Sequence, residues 1–250
     1  MNKILSKDKA EELLHSLQKT NLPTAYDPEK HRIAILDEAG NAKVYFRLPI
    51  TLTASVVPAQ LHYVILLIQS GNCALGYFEN GRNLNHKVFR SYMVRKKQGK
   101  SQIKYLKTKG KSRAGSRVRL GETVEFFENI NERLQQYFEH HDIHRIAISC
   151  SKTLIPYLFG SKAKTPFDKN DPRLLKIPKH IHTPIYEVLL DANKFLLKGE
   201  LIYDEAQQEL IDKLLPDTGT AEDVEEYEYD DEFDDEEDPD NLEEDDEYYF

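Results

Sequence analysis

Residues 62–94, HYVILLIQSGNCALGYFENGRNLNHKVFRSYMV, decide the fold. Three runs within them, HYVILLIQ, NCALGYFE and HKVFRSYMV, are short and rich in β-branched or aromatic residues. Ser70-Gly71-Asn72 and Asn80-Gly81-Arg82-Asn83 separate them, and Gly and Asn tolerate the positive φ that tight connections need. Three antiparallel strands are the expectation.

Toward the N-terminus, Ser6 stands ahead of Leu13, Leu14 and Leu17, the signature of a capped amphipathic helix that must end before Pro23. RIAILDEAGNAKVYFRL folds back around Gly40-Asn41 as a hairpin. Residues 1–59 are therefore read as a helix and hairpin region. Toward the C-terminus, Val124, Phe127, Ile130, Leu134, Tyr137 and Phe138 recur near a 3.6 period and predict a helix from Leu120 to His140. HRIAISCS reads as a strand, Thr153–Phe159 as a short helix stopped by Gly160, and Leu174–Ile177 as a short strand. Thr183-Pro184 opens a helix that Gly199 closes, and Asp204–Leu214 forms the last one. The predicted class is α/β, a mixed and mostly antiparallel sheet with helices packed on it over residues 60–215.

Charge divides the chain more sharply than hydropathy does. The formal net charge is -9, yet residues 217–250 hold 20 Asp or Glu and no Lys or Arg. That leaves 43 - 20 = 23 acids against 34 bases in residues 1–216, a body of about +11. A tail of that composition cannot bury enough apolar surface to offset its ordering entropy, so 216–250 is expected to be disordered. It serves either as a solubilising or partner-docking tail or as an internal mimic of RNA. The basic body points to a phosphate-rich partner, because each contact releases counterions from the polyanion.

The bases are not scattered. Between Gly81 and Gly121 lie fourteen Lys or Arg and no acid: Arg82, Lys87, Arg90, Arg95, Lys96, Lys97, Lys100, Lys104, Lys107, Lys109, Lys111, Arg113, Arg117 and Arg119. Phe89, Tyr92 and Tyr105 interleave with them and offer faces for base stacking. The stretch from Arg95 to Ser116 is longer than a hairpin needs, and such loops in compact domains are functional or disordered. Gly99, Gly110 and Gly115 lend it backbone freedom, and Gln102 is the one long neutral amide at its centre. An amide both donates and accepts, so it can position a water without acting as a base. A solvated loop is the bland alternative.

Cys73 and Cys150 sit in apolar runs and are read as buried, reduced thiols without a disulfide partner. His140, His141 and His144 fall where a helix meets a strand, which suits capping better than metal, and His180 and His182 lie in a loop. No metal and no cofactor is expected. No Ser-His-Asp order, Walker loop or dinucleotide fingerprint is present. The start, MNKILSKDKAEELL, lacks the apolar core of a secretory signal, and no run reaches the roughly 18 apolar residues of a membrane span. A cytoplasmic protein with no membrane partner is the expectation.

The succession VILLIQSGNCALGYF, HKVFRSYMVRKKQGKSQ, a Lys and Gly stretch, SRAGSRVR and a long helix resembles the Vms-type release-factor domain. That domain is itself similar to the middle domain of archaeal and eukaryotic class-I peptide release factors, with an RNase H-like layout. The resemblance spans residues 60–200. It implies a loop with a Gly-Ser-Gln or Gly-Gly-Gln signature that reaches the peptidyl transferase centre of the large ribosomal subunit. It implies peptidyl-tRNA and the ribosome as partners, in the rescue of stalled complexes. Carried over by position, Gln102 matches the catalytic glutamine and Ser101 the residue before it, while Arg113, Arg117 and Arg119 read as phosphate clamps. The bond cut is either the peptidyl ester or a tRNA phosphodiester near the CCA end. Lys100 departs from the pattern, standing where the family has Gly, so a positive φ is less accessible there. The zinc finger and ankyrin repeats of eukaryotic members have no counterpart, as in a minimal bacterial form.

Overall fold

The computed structural model describes residues 1–20, 22–53, 60–91 and 112–215, with 112–120 as backbone only. The segment 216–250, expected to be disordered, lies outside the described residues.

Two five-stranded sheets carry the fold, where the sequence pointed to one. The second, formed around the decisive stretch, contains β5 (His62–Gln69), β6 (Asn72–Glu79), β7 (Arg82–Arg90), β8 (Arg145–Cys150) and β9 (Leu174–Lys176), in the order β7-β6-β5-β8-β9. The expected meander β5-β6-β7 is antiparallel, whereas β8 and β9 run parallel to β5. β5 and β6 are buried on both faces, which explains their unbroken apolar runs. One face packs under α2 (Ser112–His140) and α3 (Ile155–Phe159) through Phe126, Phe127, Ile130, Leu134 and Leu158. The other packs under α4 (Tyr186–Leu197) through Leu189, Ala192, Phe195 and Leu196.

The third strand begins at Arg82, four residues earlier than expected, because the turn needs only two residues. Asn80 has φ 49° and Gly81 φ 89°, both positive as a type I′ hairpin requires. The Gly81 carbonyl accepts from Asn193 Nδ2 at 2.8 Å, which ties the hairpin to α4. Gly76 has a steric role instead. A Cβ there would lie 2.8 Å from Leu189 Cδ2, so its absence lets α4 approach the sheet.

The first sheet joins β1 (Asn2–Leu5), β2 (Thr24–Asp27), β3 (Arg32–Leu36), β4 (Ala42–Arg47) and β10 (Gly199–Tyr203), all antiparallel, in the order β1-β10-β4-β3-β2. The helix α1 (Lys7–Lys19) starts where Ser6 Oγ accepts from the Lys9 N–H, as its sequence predicts, and buries Ala10, Leu13, Leu14 and Leu17. Burying each leucine is worth roughly 1.5–3 kcal/mol. α5 (Gln208–Leu214) completes the same core with Ile211 and Leu214. β1, β2 and β10 were not anticipated. Gly199 does end α4, but it opens a strand that inserts between β1 and β4 instead of leading straight to the last helix.

A buried polar junction links the sheets. Arg47 and Glu200, neighbours across β4 and β10, form an ion pair of 3.1 Å in which both side chains are buried. The Arg47 guanidinium also lies 4.1 Å over the Phe195 ring of α4. His31 is 3% exposed at φ 48°, its Nδ1 2.7 Å from Tyr26 Oη and 3.3 Å from Arg145 Nη1, with Nε2 3.2 Å from the Pro49 carbonyl. Burial and the adjacent Arg145 hold its pKa down to about 3. The ring is therefore neutral, accepting at Nδ1 and donating at Nε2. Arg145 Nη2 donates onward to the Leu52 carbonyl at 2.9 Å, so β8 of the second sheet grips the chain leaving the first.

Candidate nucleic-acid interface

β5 and β8 run parallel and finish at the same edge of the second sheet, where β7 also ends. Open α/β sheets bind ligands outside the carboxyl ends of such strands. Ser91, just past β7, is fixed at this edge twice. Its N–H donates to the Gly71 carbonyl at 2.8 Å and its Oγ to the Glu122 carbonyl of α2 at 3.2 Å. Beyond Ser91 the next described backbone is Ser112, ten residues ahead of Glu122 on α2. At 1.5 Å per residue, the helix start projects roughly 15 Å past that bond. The opposite end of α2 is anchored where His141 stacks on Tyr77, with ring centroids 3.9 Å apart.

The expected catalytic pair Ser101 and Gln102, the glycines Gly99 and Gly110, and the bases Arg95, Lys96, Lys97, Lys100, Lys104, Lys107, Lys109 and Lys111 lie outside the described residues. What is described is the frame, β7 and α2, that holds both ends of the segment carrying them. Arg113, Gly115, Arg117 and Arg119 are on the backbone of α2, which begins at Ser112 and not at Leu120. Gly115 thus sits within helix and not in a loop. Apolar periodicity missed these two turns because a helix that projects from the sheet needs no apolar face. The first turn holds no acid, and bases near a helix N-terminus oppose the macrodipole by typically 0.3–1 kcal/mol each. A bound polyanion would reverse that sign.

On the described part of the basic stretch, Arg82, Lys87 and Arg90 are exposed along β7, an edge strand. They form no ion pair among the described residues. Arg133, farther along α2, is structural. Its Nη2 donates to Asn85 Oδ1 at 2.7 Å while the guanidinium lies 4.9 Å over Tyr137, whose hydroxyl also reaches Asn85. This contact clamps α2 across β7, and neither Asn85 nor Ser91 was singled out by sequence, because both look like ordinary strand and turn polars. Beside the edge, Ser151-Lys152-Thr153 leads from β8 into α3, with Ser151 Oγ 2.9 Å from Thr153 Oγ1.

The histidines divide as their chemistry suggests. His140 Nδ1 lies 2.7 Å from the Gln136 carbonyl in the last turn of α2, and His144 Nδ1 accepts from the His62 N–H at 3.1 Å. His180 Nε2 and His182 Nδ1 are 3.1 Å apart on a surface loop. No group of His, Cys, Asp or Glu able to hold a metal occurs among the described residues. Cys73 and Cys150 are free, and burial raises both thiols, Cys150 to about 12, so neither is a nucleophile at neutral pH. No described helix is long and apolar enough to cross a membrane.

One solved structure, titled "Vms1 mitochondrial localization core", is similar over 80% of this chain and 82% of that chain, at 11% identity and a TM-score of 0.39. No curated protein matches the chain. The family described as Bacteroidetes VLRF1 release factor matches residues 63–203, from the start of β5 through β10. With more than half of its length matched, the chain belongs to the Bacteroidetes VLRF1 release factor family.

Proposed function

We propose that this release-factor-family protein frees the nascent peptide of stalled ribosomal complexes by cleaving peptidyl-tRNA, with Gln102 presented at the CCA end. The observation that supports the reading is the tether of Ser91, the last described residue ahead of Gln102, to both Gly71 and Glu122 at the carboxyl edge of the sheet. Bases flanking Gln102 would neutralise the acceptor-stem phosphates, and Ser101 and Gln102 would orient the attacking group. In ester hydrolysis a water attacks the peptidyl carbonyl carbon, the ribose 3′ oxygen leaves, and the proton from water ends on that oxygen. Glutamine serves by positioning and by stabilising developing charge, not by taking the proton. The large ribosomal subunit is the matching partner and the cytoplasm the matching compartment.

Lys100 favours a second reading, a factor that binds the ribosome or its RNA without cleaving. An assay on purified peptidyl-tRNA and stalled ribosomal complexes separates the two. Gln102→Ala should lose about 10²-fold or more in cleavage while retaining binding, the scale of removing one positioned polar group. Equal cleavage by both proteins would remove Gln102 from the mechanism. Sequencing the tRNA 3′ end then identifies the bond: an intact CCA means ester hydrolysis, a missing one means nuclease action.

A further inference from the structure

Tyr157 is anomalous in its surroundings. Its neighbour Leu158 is fully buried and Phe127 beneath it is 1% exposed, yet Tyr157 itself is 46% exposed. Its ring stacks on Phe127 with planes 17° apart and centroids 5.8 Å apart, so one face is covered and the other is open. Val124 lies one helical turn before Phe127 and is 40% exposed, although periodicity assigns it to the core. Thr123 takes the buried place instead. Phe127 is five residues past Glu122, roughly 7.5 Å along α2 from the bond that holds Ser91. Through Phe127 the ring is tied to the stretch of α2 that follows this bond.

We propose that the exposed face of Tyr157 is a stacking platform for a nucleobase of the unpaired 3′ end of an RNA. The proposal rests on the RNA-directed reading above and adds a contact on the rigid body of the fold. Three observations select this occupant. Among the described residues only Val124 and Tyr157 are exposed large apolar side chains on α2 and α3, whereas a stable protein partner needs about 800 Å² on each side. One base needs only one ring face. The flanking charges also divide as a nucleotide would require. Lys152, just past β8 and five residues ahead of Tyr157, is exposed, while Glu125 is exposed on the helix and Glu128 is half-buried there. Those carboxylates repel a phosphate lying over α2, so the base covers Tyr157 and the backbone turns toward Lys152. Finally, the Tyr157 ring already rests on Phe127. Leu154 and Leu158, buried on either side of it in the sequence, pin α3 to the core, so little rotamer entropy is lost on stacking.

The test uses the full chain and a single-stranded RNA ending in ACCA with 2-aminopurine as its last base. Binding to the unaltered protein should quench the fluorophore. Stacking on one aromatic ring strengthens single-strand binding, so Tyr157→Ala should weaken binding by roughly tenfold and abolish the quench. Tyr157→Phe should retain both, and an abasic 3′ end should bind the unaltered protein as weakly as the normal RNA binds Tyr157→Ala. The salt slope should be the same for Tyr157→Ala as for the parent, because stacking releases no counterions, whereas Lys152→Ala should flatten it by about 0.7. If Tyr157→Ala binds and quenches like the parent, the platform is refuted and the face serves a protein or nothing. If the parent itself fails to bind, the RNA-directed reading falls as well.

Discussion

Acid should loosen this protein through one buried imidazole. His31 is neutral in the folded state, held so by burial and by the Arg145 guanidinium, with its pKa at about 3 against 6.5 for a free histidine. In that window the unfolded chain binds a proton that the folded chain refuses, so stability is complete above about pH 6.5 and declines as pH falls toward 3. The slope is about 1.36 kcal/mol per pH unit, so between pH 7.5 and 5 the loss from this residue is about 2 kcal/mol. That is a large share of a typical total of about 5–15 kcal/mol. The assay is urea unfolding across pH 5–7.5 for the parent and for His31→Gln, which keeps a donor and an acceptor but does not titrate. Gln has to adopt the same positive φ, so its strain lowers stability equally at every pH and leaves the slope interpretable. Other titrating groups, Asp171 beside Arg173 among them, contribute alike to both proteins and cancel. Parallel pH profiles, within about 0.5 kcal/mol, would refute the linkage and imply that His31 opens to solvent before the fold does.

Two further outcomes test the packing and the charge argument. Gly76→Ala would set a methyl 2.7 Å from Phe78 Cε2 and 2.8 Å from Leu189 Cδ2, and should cost about 1–3 kcal/mol, read as a lower thermal midpoint. An unchanged midpoint would mean that α4 can back away from the sheet freely. Replacing Lys104, Lys107 and Lys109 together with Ala should reduce the slope of log affinity against log salt for single-stranded RNA by about 0.7 per lost contact. An unaltered slope would show those three side chains solvated.

Much of the frame was readable from local chemistry. Ser6 marks the start of α1, Asn80-Gly81 marks a hairpin, and the spacing of Phe127, Ile130, Leu134 and Tyr137 marks the face α2 buries, all relations among residues within a few positions. Val124 shows the limit of that logic. Its spacing is right, but Thr123, Phe126 and Phe127 form the buried face of that turn and leave Val124 turned to solvent. β10 shows another. GELIY is five residues long and follows a glycine that reads as a helix stop, and its partners Arg47 and Leu5 are contributed from the far end of the chain.

By itself, then, the sequence determined the strand-rich centre, the split between basic body and acidic tail, and Gln102 among bases, because composition and periodicity are local properties. Only the tertiary structure decided that the chain builds two sheets, that Arg145 and His31 lock them, and that Tyr157 stacks on Phe127 while staying half exposed. Those arrangements depend on contacts between residues far apart in sequence, such as the pair Arg47 and Glu200. Their pairing is selected by packing and burial across the whole fold and leaves no mark in any short window of residues.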